Sequence, residues 1–396
     1  MANTIDYASI FQAQLDEQMI PEMTSRAMEA NAGQVQYTGG HSIKVLKMTL
    51  EGLGTYNRST GFPSGDITTA WETFTFSMDR GKEFTLDSVD NEESFVDVAG
   101  QVMAQFQREK VAPEVDAYRY SKIFAYALAS NKISRYTAAS DTIFEELIGD
   151  IRTIQDLIGE MEPLTIYMSF AAASVLDAAD KITKRLDVSD FTAGGITTKT
   201  RSLDGIPIIR VPSIRFKSAY TFSATDGFSA ATSASDINWI ICANRAVLGI
   251  VKQDKVRTFS PEVNQSADAW KMQYRKYHDL FILDNKMSGI WVNHAGASAP
   301  ALSATIAAGT GTGNTKATAT AGTGNALGYI LSATATPVYY LELLADITGE
   351  VAPYTSAADI AATAGQYLTV FAYNTTTTRV VTADAPHLLD AGEISS

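Results

Sequence analysis

Apolar and polar residues alternate along Ile43–Leu50 (IKVLKMTL), a period of two that predicts a strand. A stretch rich in Gly, Ser, Thr and turn formers follows (EGLGTYNRSTGFPSGDITTA), then WETFTFSM and RGKEFTLD. Strand, long polar excursion and strand together predict an extended hairpin, and loops of that length carry function or are disordered. After Asp90 the period changes. Phe95, Val98, Ala99, Val102, Met103 and Phe106 recur at helical spacing, and Asp90 with Glu93 makes a capping-box start. Pro113 is expected to kink or restart this helix because it lacks a backbone donor, with Val115, Tyr118, Phe124 and Leu128 as a second apolar set. Near the N-terminus Tyr7, Phe11, Leu15 and Met19 recur every four residues, which predicts a short helix with one sticky stripe, limited by Pro21 and closed off at Gly39-Gly40. With so little chain around it, such a stripe docks on something else.

Beyond Asp141 the pattern is mixed. DTIFEELIGDIRTIQDLIG reads as helix, PLTIYMSF as strand and AAASVLDAADKIT as helix. GIPIIRVP reads as a strand punctuated by proline, hence expected at a sheet edge. DINWIICA, RAVLGIVKQ, YHDLFIL and SGIWV are further strand candidates. Past Gly296 the composition turns to Ala, Thr, Gly and Ser, with Lys316 and Arg379 as the bases of the tail. GTGN recurs at 311–314 and 322–325 around TKATATA, which predicts hairpin corners. Tyr329–Leu331, Val338–Tyr340 and Tyr367–Phe371 are the tail's expected strands, giving a separate small β-rich domain.

Composition narrows the function classes. At 396 residues the chain suits two or three domains. A net charge of −13 argues against a surface that tracks nucleic-acid phosphates. One cysteine, Cys242, excludes intrachain disulfides and sits in an apolar run as an inert buried thiol. No apolar run reaches the ~20 residues of a membrane span, and the N-terminus lacks a basic-then-apolar signal pattern. His41, His278, His294 and His387 are not spaced as zinc ligands. GTGTGNTK fails as a phosphate loop because Asn314-Thr315 precedes Lys316. There is no GxSxG elbow. Asp90/Glu92/Glu93 reads as a helix start and Glu145/Glu146 as a solvated helix face. The expectation is no enzyme, no cofactor and no metal. Arg80-Gly81-Lys82-Glu83 has the best functional claim, as charges at the base of the hairpin, with an ordinary hairpin turn as its equal rival.

DRGKEFTLDSVDNEE, VAPEVDAYRYSKI, GIPIIRVP and YHDLFILDNKMSGIWV, in that order and spacing, resemble the major capsid protein of tailed bacteriophages, the Hong Kong phage capsid fold, over roughly 1–295. The resemblance implies an α+β chain: an N-terminal arm at 1–42, an extended β-hairpin loop at 43–87, a spine helix with the peripheral domain at 88–135, an axial domain at 136–255 and a return to the peripheral domain at 256–296. The segment 297–396 is additional, a C-terminal β-sandwich-like domain expected on the outer surface. No long charged helical prodomain precedes the arm, and the Met1 start favours a separate scaffolding protein over a removed prodomain with its maturation protease. Some relatives crosslink a loop lysine to an asparagine; Lys82 is too near the loop base for that role.

The function implied is self-assembly of hexamers and pentamers into an icosahedral head around double-stranded DNA. The head is built in the host bacterial cytoplasm, with a portal protein as a further partner and without a membrane. An acidic lining would keep packed DNA from sticking to the wall. Phe11, Leu15, Met19, Trp71, Phe74 and Phe76 are the expected buried anchors between subunits, and Arg80, Lys82 and Glu83 the charges that set register. The rival readings are a surface-adhesion or glycan-binding protein, from the Ala/Thr/Gly tail, and a soluble α/β hydrolase.

Overall fold

The computed structural model describes residues 23–29, 36–37, 41–59, 61–62, 64–87, 103–179, 186–193, 196–225, 227–232, 234–264, 267–297 and 299–395. The arm stripe Tyr7, Phe11, Leu15 and Met19 and the expected helix start at Asp90 to Val102 lie outside the described residues.

A two-residue strand β1 (Gln36–Tyr37) joins β2 (Ser42–Leu50) and β3 (Ile67–Thr75) in an antiparallel sheet. β2 and β3 pair in unbroken register from Ser42↔Thr75 to Leu50↔Ile67. β4 (Met78–Asp87) leaves this hairpin and pairs instead with the Ala269–Ile282 strand, from Met78↔His278 to Asp87↔Ala269. The hairpin is therefore narrower than 43–87. Arg80–Glu83 is no turn either, since it lies within a ladder.

The chain is helical again from 103. Gln107–Val111 form a π-helical turn, closed by the Ala112 N–H on the Gln107 carbonyl, and run directly into α1 (Ala112–Ala129). Pro113 falls in the first turn of α1, so the α-helix restarts there after the π turn, the local distortion expected at a residue without a backbone donor.

Next come β5 (Ile133–Arg135), α2 (Ile143–Ile158), β6 (Leu164–Ser169) and α3 (Phe170–Asp177), whose N-cap Ser169 accepts from the Ala172 N–H. Then follow β7 (Leu186–Ala193), β8 (Ile196–Leu203), β9 (Ile206–Val211), the hairpin β10 (Tyr220–Ser223) and β11 (Gly227–Ala230), β12 (Ile237–Ala243), β13 (Val247–Phe259), β14 (Ala269–Ile282) and β15 (Ile290–His294). Seven of these strands form one mixed sheet in the order β5-β15-β12-β6-β9-β8-β7. β6 and β12 are buried at every position, as strands covered on both faces should be. β9 is an interior strand, not an edge one. Its parallel pairing to β6 begins at Ile208, one residue past Pro207, so the proline removes no donor from that ladder. Asp150 ties α2 to this sheet: its carboxylate accepts from the indole N–H of Trp239 (2.8 Å), from Asn293 (3.1 Å) and from Ser134 (3.2 Å). Burial raises the Asp150 pKa, and these donors oppose that rise.

β13, β14 and β4 make a second, three-stranded sheet. Leu86, Met272 and Tyr274 of this sheet form a small core with Met103, packed by Phe84 and Phe106.

The tail folds as β16 (Thr305–Ala308), β17 (Asn314–Thr318), β18 (Asn325–Ser332), β19 (Val351–Tyr354), β20 (Asp359–Ala361), β21 (Tyr367–Asn374), β22 (Val380–Ala383) and β23 (His387–Leu388). β16-β17-β20 form one sheet and β19-β18-β21-β22 the other, with β23 on β21. Leu327, Ile360, Leu368, Val370 and Ala317 share the core between them. The first GTGN makes a β16–β17 hairpin corner, whereas the second carries the chain from one sheet to the other. Val338–Tyr340 makes no strand; Val338 is buried and Tyr339 reaches the body of the protein.

Candidate functional site

The candidate site is the β2–β3 hairpin and the framework that holds its root. At the root, Ile43 and Val45 are buried with Phe76, Leu248, Ile250, Tyr277 and Phe281. Phe74 stacks on Phe281 at 4.8 Å, and Phe76 lies 5.0 Å from Tyr277 and 5.5 Å from Phe281. Beyond the root one face of the hairpin carries apolar side chains that are half-exposed or more. Leu46 stands opposite Trp71, Met48 opposite Thr69 and Leu50 opposite Ile67. Directly opposed residues share a face, so these side chains form one apolar stripe. Trp71 is 48% exposed, Leu50 64% and Ile67 68%. Tyr56 and Phe62, whose rings meet at 5.0 Å, continue the exposed apolar surface past the strands. A nine-residue strand spans ~30 Å, so the stripe extends well beyond its root.

Two buried polar networks brace this framework, one at the hairpin's root and one at the arm. Asp279 on β14 is fully buried and accepts from Tyr118 Oη on α1 (2.6 Å) and from Ser77 N (2.8 Å) and Ser77 Oγ (2.9 Å). Ser77 is where the hairpin hands over to β4, so this carboxylate joins hairpin, spine helix and sheet. Burial, then the neighbouring Asp279 charge, raises the Tyr118 pKa and keeps it a donor.

The second network holds the described end of the arm. Asp116 accepts from Thr24 N (2.9 Å), Ser25 N (3.0 Å) and Arg215 Nη1 (3.1 Å). Arg119 donates to Ser25 O (3.1 Å) and Glu29 Oε1 (2.6 Å), and Tyr120 Oη lies 2.9 Å from Thr24 Oγ1. Asp116 and Arg119 are both fully buried. Gly249 on β13 lets the arm pass, since a Cβ there would stand 3.2 Å from the Met28 carbonyl oxygen.

The expected site residues separate. Trp71 keeps its exposed surface, while Phe74 and Phe76 are spent on their own subunit's core. Phe11, Leu15 and Met19 lie outside the described residues. Arg80 pairs with Glu114 and donates to Ser223 O (2.6 Å). Lys82 donates to Ala224 O (3.2 Å), and Glu83 meets Lys271 (3.1 Å) and Gln273 (2.7 Å). These three charges serve contacts within the chain, where they sit on a strand and not on a loop tip. Asp116, Arg119, Asp279 and Gly249 escaped the pattern reading. The available signal was a charge at apolar positions: Asp116 and Arg119 one helical turn apart on the spine, and Asp279 inside YHDLFIL.

The C-terminal domain is fastened to the body. Arg135 Nη2 meets Glu342 Oε1 at 2.9 Å, with its guanidinium 4.2 Å over the Tyr339 ring. Arg379 donates to Asn131 Oδ1 (2.7 Å) and to Leu341 O (2.8 Å).

Among the described residues no group of three or more His, Cys, Asp or Glu is placed to hold a metal ion. None of the described helices is long and apolar enough to cross a membrane. Cys242 is buried on β12, and burial pushes its thiol pKa up.

No protein-family model matches the chain, and no curated protein matches it in sequence. Solved structures do resemble it. The capsid structure of cyanophage P-SCSP1u is similar with a TM-score of 0.52 at 12% identity, over 74% of this chain and 94% of that chain. The asymmetric unit of the bacteriophage PhiM1 mature capsid is similar at 0.49 and 11% identity, over 72% and 91%. A structure from Mycobacterium phage Che8 is similar at 0.44 and 12% identity, over 74% and 98%. The likeness to the cyanophage capsid establishes the fold. The chain has the α+β tailed-phage major capsid fold, here with an added β-rich C-terminal domain.

Proposed function

We propose that the chain is a structural subunit that self-assembles, as hexamers and pentamers, into an icosahedral phage head enclosing double-stranded DNA. The observation that carries this reading is the exposed apolar stripe Leu46, Met48, Leu50, Ile67 and Trp71 on a hairpin whose root is clamped. An apolar face of that length is a partner surface. Held out from a clamped root, it suits a neighbouring copy better than its own body. Covering each half-exposed side chain contributes about 1 kcal/mol. One such contact is weak, but every subunit gives a hairpin and receives one, so contacts accumulate around a closed shell.

Trp71 is the anchor on this reading, and the arm stripe Phe11, Leu15 and Met19 makes a second contact. The net charge of −13 suits a wall that packed DNA does not wet. The C-terminal domain is displayed outward. A scaffolding protein or maturation protease, and a portal protein, are the remaining partners. The role is geometric and not enzymatic, and its place is the virion, built in the bacterial cytoplasm. Negative-stain electron microscopy of the purified chain tests it. Closed particles or hexamer-sized rings are expected, and a chain that stays a small monomer under all conditions refutes the reading.

A further inference from the structure

A cavity of about 460 Å³ lies between β4, the N-terminal part of α1, the β10–β11 hairpin and β14. That volume falls within the ~300–1,000 Å³ typical of small-molecule sites. Its apolar wall is aromatic. Phe106 meets Phe84 edge-on at 5.0 Å and Tyr274 edge-on at 5.8 Å, and Val111 packs with them.

The charged groups of the lining are Arg80, Lys82, Lys110 and Lys276 with Asp79 and Glu114. Most of them cancel. Arg80 pairs with Glu114, Lys276 with Asp254 and Asp79 with Arg275. Lys82 donates to a neutral acceptor, the Ala224 carbonyl (3.2 Å). Among the described residues neither Lys82 nor Lys110 has a carboxylate partner. Surplus positive charge is thus left on the wall of one cavity, in a chain whose net charge is −13.

His278 belongs to the same lining. It is 2% exposed, and its buried Nδ1 has no hydrogen-bond partner. A buried polar atom without a partner is rare and costly. Burial, then the charges of Arg119, Lys276 and Arg80, lowers the His278 pKa and keeps the imidazole neutral. A neutral ring carries its proton on one nitrogen or the other, and an anion in the cavity selects the tautomer with the proton on Nδ1.

Two surplus ammonium groups, a buried imidazole and an aromatic wall define the ligand. Charge balance asks for a dianion, and the wall asks for a flat apolar body. A phosphate monoester, with a second pKa of about 6, carries close to two negative charges near neutral pH, whereas a carboxylate carries one. We propose that this cavity is a binding site for a small aromatic phosphate monoester, its phosphate held by Lys82 and Lys110 and its ring laid against Phe84, Phe106 and Tyr274. Lys82 exchanges the Ala224 carbonyl for the phosphate, a stronger, charge-assisted partner. Arg80 stays with Glu114 and with the carbonyls of Ser223 and Gly227, so the β10–β11 hairpin keeps its place. The site is separate from the hairpin stripe and does not depend on assembly.

Isothermal titration of 1-naphthyl phosphate into the dispersed full-length chain tests it. Saturable binding at a single site is expected. Inorganic phosphate, which lacks the ring, and 1-naphthol, which lacks the charge, should each bind more weakly by about tenfold or more. Lys82→Gln/Lys110→Gln, shown to be folded by circular dichroism, should lose about tenfold or more in affinity. A second reading leaves the lysines intact. The chain has four histidines, so selective imidazole labelling gives a countable set of NMR signals. The ligand should move the signal that is missing from His278→Gln and leave the others in place. Absence of saturable binding overturns the proposal. So does 1-naphthol binding as tightly as the ester, because an apolar surface such as the hairpin stripe would then be taking the ring. Inorganic phosphate binding as tightly, full affinity in the lysine variant, or a His278 signal unmoved at saturation overturns it as well.

Discussion

Tyr118 and Asp279, far apart in sequence, meet in a 2.6 Å hydrogen bond at the point where hairpin, spine and sheet converge. The same carboxylate accepts from the backbone and hydroxyl of Ser77. This buried acid, together with the apolar packing of Ile43, Val45 and Phe76, ties the hairpin's root to the body.

Replacing Asp279 by Ala strands the Ser77 N–H and leaves the Tyr118 hydroxyl only Ser77 Oγ as a partner. It should destabilise the fold by about 2–4 kcal/mol, whereas Tyr118→Phe, which removes one donor and leaves the carboxylate its other partners, should cost about 1 kcal/mol. Urea unfolding monitored by near-ultraviolet circular dichroism measures both. Equal, small losses would mean that the network does not anchor the hairpin.

The arm should come loose before the body does. Asp116→Ala removes the acceptor for Thr24 and Ser25 and breaks the buried ion pair with Arg215, at a cost of about 3–5 kcal/mol. Gly249→Val, which crowds the Met28 carbonyl, should release the arm with a smaller loss. Hydrogen exchange reads it directly: the amides of Thr24 and Ser25 should lose protection in both variants while β12 keeps its own.

Much of this arrangement is legible in the sequence because period and burial agree. The alternation at Ile43–Leu50 became β2, and DTIFEELIGDIRTIQDLIG became α2. At Pro113 the expected kink or restart takes the form of a π turn before α1. The failures are places where tertiary context overrides a local signal. GIPIIRVP has the proline of an edge strand, but that proline precedes the parallel ladder. Val338–Tyr340 has the aromatic residues of a strand, yet Tyr339 is used to cover Arg135. Within the site, Trp71 stands out by its aromatic character. Leu46, Met48, Leu50 and Ile67 became a stripe only through a register that single-strand periodicity does not contain.

Acid should weaken the fold through two histidines. Burial, with Arg119, Lys276 and Arg80 nearby, lowers His278 from its ordinary value to about 3; burial, with Arg135 and Arg379 nearby, lowers His294 to about 4. A depressed folded-state pKa contributes stability that is present above the unfolded value of about 6.5 and is lost as pH falls toward the folded one. Buried Asp150 and Glu342 and partly buried Glu114, whose values are raised, act in the opposite sense. The difference between wild type and His278→Gln/His294→Gln isolates the histidines. That difference should shrink steadily between about pH 6.5 and pH 4. A constant difference would mean that the imidazoles charge freely in the fold.

The C-terminal domain should swing free when its fastening is cut. Arg135→Ala leaves Glu342 buried without its cation, and Arg379→Ala removes the bond to Asn131. The double variant should be cleaved by protease at 296–300 at least tenfold faster, with both parts still folded. Unchanged cleavage would place the attachment elsewhere.

Radical footprinting of Trp71, read by mass spectrometry in dispersed subunits and in particles, tests most directly whether the hairpin's apolar face is the surface that joins subunits. The side chain is 48% exposed in the isolated subunit, and Trp239, fully buried, is the internal control. In particles Trp71, Leu50 and Ile67 should be protected several-fold while Trp239 is unchanged. Particles in which Trp71 labels as fast as in the dispersed chain would contradict the account.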